Sequence, residues 1–184
     1  MFKDQLTNLL LCAAVAVSIP QSAEAASEAK EVNMSVVVHA KPRAVWEAIR
    51  GQRVADKAHR KLISYHDDEA LIEEHFPALP IIGAATCLYK EHEVPLKRID
   101  YSMVESNQFR QFEGSWVISP TEDGNATVVN LSSRLDPGLR VPFWKEITKV
   151  ATTKHVKERL SAVRHDAEIL ESKVQTAGLL AQGQ

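Results

Sequence analysis

Cysteine is scarce in this chain of 184 residues: there are two, Cys12 and Cys87. Cys12 lies in an N-terminal apolar stretch, so the rest of the chain holds one thiol and no internal disulfide framework. Long hydrophobic runs are also missing, and the stretch from Leu9 to Val17 falls short of the ~20 residues that span a bilayer. There is no block of basic residues. Lysine and arginine number 22 against 24 acidic residues, a formal charge of −2, which gives no electrostatic footprint for nucleic acid or an anionic membrane surface. No Gly-rich phosphate loop, Ser-His-Asp set or His-Cys arrangement occurs, and no internal repeat or low-complexity tract. What remains is a hydrophobic content of 45% and a charged content of 25%, ordinary for one soluble globular domain held by its core.

The first residues read as an export signal. Lys3 supplies a weak positive region, Leu9 to Val17 the apolar region, and Ala23-Glu24-Ala25 a small-x-small cleavage site. Cutting before Ala26 is expected, which makes 1–25 a signal peptide and the product secreted, most simply periplasmic. Leu9-Leu10-Leu11-Cys12 is a poor lipoprotein box, because the residue before the cysteine is large. Cys87, among strand-forming neighbours, reads as a buried, inert thiol.

From Val32 the spacing is two: Val32, Met34, Val36 and Val38 share a face. A short helix follows in "AKPRAVWEAIR", with Pro42 near its start and Val45, Trp46 and Ile49 on one side. "GQRVADKAHR" reads as a second short helix or a loop. Strand candidates then come in succession: "RKLISYHD", "EALIEEHF", "GAATCLYKEHEV" and "KRIDYSMVES". A hairpin closes the series. On its first strand Phe112, Gly114, Trp116 and Ile118 alternate with Gln111, Glu113, Ser115, Val117 and Ser119, and after the turn "TEDGNA" Thr127, Val129, Leu131 and Leu135 are opposed by Val128, Asn130, Ser132 and Arg134. The last segment changes period. Pro142 is expected to open a helix, and Ile147, Val150, Val156, Leu160, Val163, Ala167, Leu170 and Val174 recur at helical spacing. A helix from Pro142 to Val174 would be ~50 Å long and overhang the sheet, and "QTAGLLAQGQ" reads as a disordered tail over 176–184.

This order predicts an α+β domain over 31–175, a curved antiparallel sheet of about seven strands with one apolar face covered by a long C-terminal helix. The pieces Ala40-x-Pro42-x-x-Val45-Trp46, Gly114-x-Trp116, and Thr127-x-Val129 just after Asp123-Gly124 resemble the START-like or SRPBCC superfamily. Within it, the polyketide cyclase/dehydrase and coenzyme Q-binding branch is the most similar. The likeness runs from about Val32 to about Val174. It implies a helix-grip fold enclosing a cavity for lipids, sterols, quinones or polyketides, in carriers and enzymes alike. An export signal departs from many members of the superfamily, and sets acyl-carrier-bound polyketides and mitochondrial quinone apart from this chain's expected partners.

The residues expected to line that cavity are Met34, Val36, Tyr101, Met103, Phe112, Trp116, Ile118, Val129 and Leu131 from the sheet, with Ile147, Val150 and Ala151 from the helix. Small, partly polar residues at Ala151 to Thr153 would leave room above the sheet, and room is what a ligand needs. The alternative is that all of these pack against one another. In the loop "FPALPIIGAA", Leu79, Ile81 and Ile82 are candidate gate residues at the cavity mouth, and a transient membrane contact would follow from the same apolar loop. Glu73-Glu74-His75 and Glu91-His92-Glu93 offer no convergent metal set and read as a solvated sheet face. Tyr89, Tyr101 and Arg110 are polar candidates to fix a head group.

The resulting expectation is an exported protein that binds a hydrophobic or amphipathic small molecule, with no cofactor and no metal. Two alternatives stand beside it. One is a cyclase, dehydratase or isomerase using Tyr101 or a pocket His or Glu as general acid–base, and the other an interaction module with a collapsed cavity.

Overall fold

The computed structural model describes residues 30–79, 83–139 and 142–182. The expected leader and its cleavage site lie outside these residues, as do Ile81 and Ile82 of the gate. The sheet has seven strands, all antiparallel: β1 Val32–Val38, β2 Arg60–His66, β3 Glu69–Leu79, β4 Gly83–Val94, β5 Arg98–Ser106, β6 Gln111–Pro120 and β7 Thr127–Asp136. Their order in space is β1-β7-β6-β5-β4-β3-β2. Strands β2 to β7 therefore form a meander, and β1 docks on the far edge against β7, Val36 opposite Val129 and Met34 opposite Leu131. The period-two pattern is observed: Phe112, Trp116, Ile118, Val129, Leu131 and Leu135 are buried on the inner face. The 121–126 turn is held by Thr121 and Asp123 hydrogen bonds and by Gly124 at φ 68°.

Helix α1, Pro42–Ala55, follows β1 directly, with Pro42 in its first turn. It extends further than the short helix expected and absorbs the start of "GQRVADKAHR". Val45, Trp46 and Ile49 are buried as anticipated, and Gln52 and Arg53 continue the buried side. No side chain caps its start from within. Instead the His39 and Lys41 backbone N–H groups donate to Glu168 Oε1 (3.1 Å) and Glu171 Oε2 (3.2 Å) of the last helix. Carboxylates at a helix N-terminus complement its orphan donors and dipole, so this contact ties α1 to the layer above the sheet.

That layer is α2, Trp144–Gln182. It starts two residues later than expected, because Phe143 adopts φ 62° and breaks the turn after Pro142. It also runs past Val174, making 176–182 helical where a disordered tail was expected. Val156, Leu160, Val163 and Ala167 are buried against the sheet, with Leu170 half-buried. Val150 and Val174 are exposed, contrary to their place in the expected stripe. Cys87 is fully buried on β4, and burial pushes its thiol up to about 12, well outside the reactive range. No helix among the described residues is long and apolar enough to cross a membrane.

Candidate functional site

The helix and the sheet do not close completely. A cavity of about 600 Å³ lies between the first turns of α2 and the ends of β3, β6 and β7. Its sheet side is Phe76, Pro77, Ala78, Phe112, Ser133 and Leu135, and its helix side Ile147, Thr148, Val150, Ala151, Thr152 and His155. Glu146, Lys154 and Glu158 complete the lining. Phe76 packs edge-on against Phe109 (centroids 5.1 Å, 78°) and Phe112 (5.4 Å, 78°), which fixes the aromatic floor in a favoured geometry. The space exists because α2 presents short side chains there, Thr148, Ala151 and Thr152, in place of the branched aliphatics further along.

Of the residues expected to line the cavity, Phe112, Ile147, Val150 and Ala151 do so, Val150 while 71% exposed. Tyr101, Trp116, Ile118, Val129 and Leu131 are instead buried in the core, with Met34, Val36 and Met103 half-buried and packed against it. The space over those strands is filled by α1 and by Val156, Leu160 and Val163. Tyr101 donates its hydroxyl to the Ser132 carbonyl (3.0 Å) and is pushed up to about 12 by burial, so it does not present a free acid–base group to the cavity. Arg110 is exposed and packs over Gly138. Leu79 pairs with Gly83 at the β3–β4 connection, next to the cavity-lining Pro77 and Ala78.

Behind the aromatic floor lies a buried charge cluster that overturns the expected solvated face. Glu74, Glu91 and Glu93 point inward and are 3%, 2% and 5% exposed. Glu74 accepts from Arg60 Nη2 (2.7 Å) and from the Tyr89 hydroxyl (2.9 Å). Glu91 accepts from Arg53 Nε (2.6 Å) of α1, and Glu93 takes the other side of the same guanidinium together with Arg50 (3.3 Å). Glu73 and His75 remain outside and pair with each other (3.2 Å). Burial alone would raise the Glu74 carboxyl, but the charge and hydrogen bond of Arg60, helped by Arg159 and His155, together outweigh it and hold the group at about 2. Tyr89 moves well above its ordinary value through burial and the adjacent Glu74 carboxylate.

His155 of α2 sits where this cluster meets the cavity, its ring 5.5 Å from that of Phe76 and its Nε2 3.8 Å from Glu74 Oε1. Burial, reinforced by Arg159 and opposed by Glu74, lowers it to about 4, so the imidazole is neutral at pH 7. On its other side is a second cavity of about 540 Å³, lined by polar residues of the α1 C-terminus, β2, β3 and α2, among them Gln52, Arg60, Glu74 and Arg159. The two cavities share Phe76, Pro77, His155 and Glu158. His155 and Arg159 had carried no expected role, and Glu74 had been expected on a solvated face. No group of metal-ligating residues is present among the described residues.

No family model matches the sequence, and no curated protein matches it. Solved structures match in shape. The ZhuI aromatase/cyclase from Streptomyces sp. R1128 superposes with a TM-score of 0.64 at 17% identity, over 76% of this chain and 93% of that one. The fold is the START-like helix grip. A START superfamily protein from Mycobacterium smegmatis shares it at a TM-score of 0.56 and 12% identity, over 78% of this chain and 98% of its own. So does the di-domain aromatase/cyclase StfQ of the steffimycin biosynthetic pathway, at 0.58 and 11%, of which this chain covers 52%. In this START-like domain the grip is packed solid around Trp116 and open only beside α2's first turns.

Proposed function

We propose that this protein binds a hydrophobic or amphipathic small molecule, of lipid, sterol, quinone or polyketide character, in the cavity between Phe76, Phe112 and the start of α2. The observation that carries the reading is the cavity itself: about 600 Å³, with aromatic and aliphatic walls, within the ~300–1,000 Å³ typical of small-molecule sites. Two structures of the same fold are named as aromatase/cyclases, one of them from the steffimycin biosynthetic pathway, which supports a small-molecule ligand. The same volume speaks against an interaction module with a collapsed interior. The leader-like Lys3, Leu9–Val17 and Ala23-Glu24-Ala25 support export, so the ligand would be met outside the cytoplasm. Native mass spectrometry of protein purified from its own host tests the binding. A co-purifying apolar compound is expected, and an empty protein that also fails to take up fluorescent lipids overturns the reading.

Catalysis in the same cavity is the second reading, favoured by one observation: a neutral His155 in the cavity wall, with Glu74 and Tyr89 behind it. A histidine so placed can take a proton from a bound ligand as general base. His155→Gln separates the two readings: a carrier keeps its ligand affinity and has no turnover to lose, whereas an enzyme keeps binding and loses conversion of its substrate.

A further inference from the structure

The second cavity contains a buried guanidinium that touches no carboxylate among the described residues. Arg159 is 6% exposed, and its guanidinium carbon lies 5.0 Å from the Trp116 ring centroid and 5.9 Å from that of Tyr101. Its Nε finds no hydrogen-bond partner, and no carboxylate lies within ion-pair distance of it among the described residues. The Nε of Arg60 and the Nε2 of His155, both lining the same cavity, are likewise buried without a hydrogen-bond partner. Buried polar atoms of this kind, guanidinium donors above all, are rarely left unpaired.

The contacts at this point are unevenly shared. Glu74 touches Arg60 at 2.7 Å and acts on Arg159 only at longer range, which leaves Arg159 with no carboxylate in contact among the described residues. Asp56, Glu158 and Asp166 also line the cavity, but Asp56 and Glu158 are exposed, Asp166 is half-buried, and Asp56 pairs with His59 at 3.0 Å. A buried guanidinium carries a desolvation cost that an anion in contact with it relieves.

We propose that the second cavity receives an anionic oxygen of the ligand, a carboxylate or an enolate, on Arg159, while the ligand's apolar body lies in the first cavity. The inference rests on the binding reading above and narrows it to amphipathic anions. The shared wall of Phe76, Pro77, His155 and Glu158 makes the two cavities neighbours, so that one molecule reaches both past the His155 ring.

Isothermal titration of the full chain with three probes of equal chain length, dodecanoate, 1-dodecanol and dodecyltrimethylammonium, tests it. Dodecanoate is expected to bind at least about tenfold more tightly than the alcohol, the size of one charge-assisted hydrogen bond in a buried site. Arg159→Met is expected to remove that preference and leave dodecanol affinity intact, while Arg159→Lys keeps part of it. Equal affinity of wild type for acid and alcohol, a preference for the ammonium, or an Arg159→Met protein that still favours the acid would each overturn the inference and leave the apolar cavity reading standing. If wild type binds none of the three, both fall. Should Arg159→Met fail to fold, the ranking of the probes on wild type decides.

Discussion

The phenol of Tyr101 lies across Gly114, its partner in the β5–β6 ladder: a Cβ at position 114 would collide with the ring and with the Ser132 carbonyl. The glycine in "FEGSW" is thus required by a close approach of a neighbouring ring and strand. Gly114→Ala is expected to destabilise the protein by about 2–3 kcal/mol, as overpacking against backbone does. Urea unfolding of the two proteins checks this, and a change within about 0.5 kcal/mol would show that the strands shift freely.

Among the described residues Glu74 is the only carboxylate in contact with Arg60, and it also accepts the Tyr89 hydroxyl. Glu74→Gln strands a buried guanidinium and is expected to cost about 3–5 kcal/mol. A double variant with Arg60→Met should recover much of that loss, because removing both charges removes the uncompensated one. A double variant no more stable than the single would locate the cost elsewhere in the cluster.

Stability is expected to fall as pH drops below neutral, in two stages. His155 has an ordinary value of 6.5 and about 4 when folded, so between those values the unfolded chain takes up a proton that the folded one refuses. Glu74, held at about 2 against an ordinary 4.5, extends the loss below that, as the unfolded carboxylate protonates first. His155→Gln should flatten the upper stage by on the order of 2 kcal/mol between pH 7 and pH 4. Unfolding midpoints measured across pH on both proteins test the assignment, which fails if the profiles run parallel.

Ala151 projects from α2 into the apolar cavity. Ala151→Trp should fill much of the space and weaken binding of an apolar fluorophore by at least about tenfold, or ~1.4 kcal/mol. The thermal midpoint should hold or rise, because the added ring enters a void. Unchanged fluorophore affinity would mean that the binding site lies elsewhere.

Leu79, Ile81 and Ile82 follow the cavity-lining Pro77 and Ala78 in the sequence. Replacing the three by Ser is expected to alter the rate of fluorescent-lipid exchange severalfold with little change in thermal midpoint, since an access loop governs rates more than stability. A large loss of stability with unaltered exchange would mark them as core residues.

Period-two alternation made β1, β6 and β7 readable, since their inner residues are mostly apolar and their outer ones mostly polar. The same rule puts Glu74 on the face of Ile72 and Phe76, and Glu91 and Glu93 with Tyr89, and that placement holds. What misleads there is charge. A carboxylate reads as wet unless its partner is known, and the partners Arg53 and Arg60 come from α1 and β2. Their convergence is tertiary and leaves no local mark. The helix did carry one: Thr148, Thr152, His155 and Arg159 recur at helical spacing within the buried side that Val156 and Leu160 continue. Polar residues along an otherwise apolar stripe are the signal that could have located the cavity wall. The long aliphatic core residues were expected to line the cavity because nothing local distinguishes a wall from a filled interior.

The pairing of β1 with β7 joins the two ends of the sheet's chain order. The first strand to leave the ribosome has no native neighbour until the last is made, and it waits through the whole meander with a bare edge. Assembly should therefore be slow and governed by this distant closure. A nascent chain stopped short of Thr127 would hold an unpaired Val-rich segment, an obvious target for a holdase or a protease.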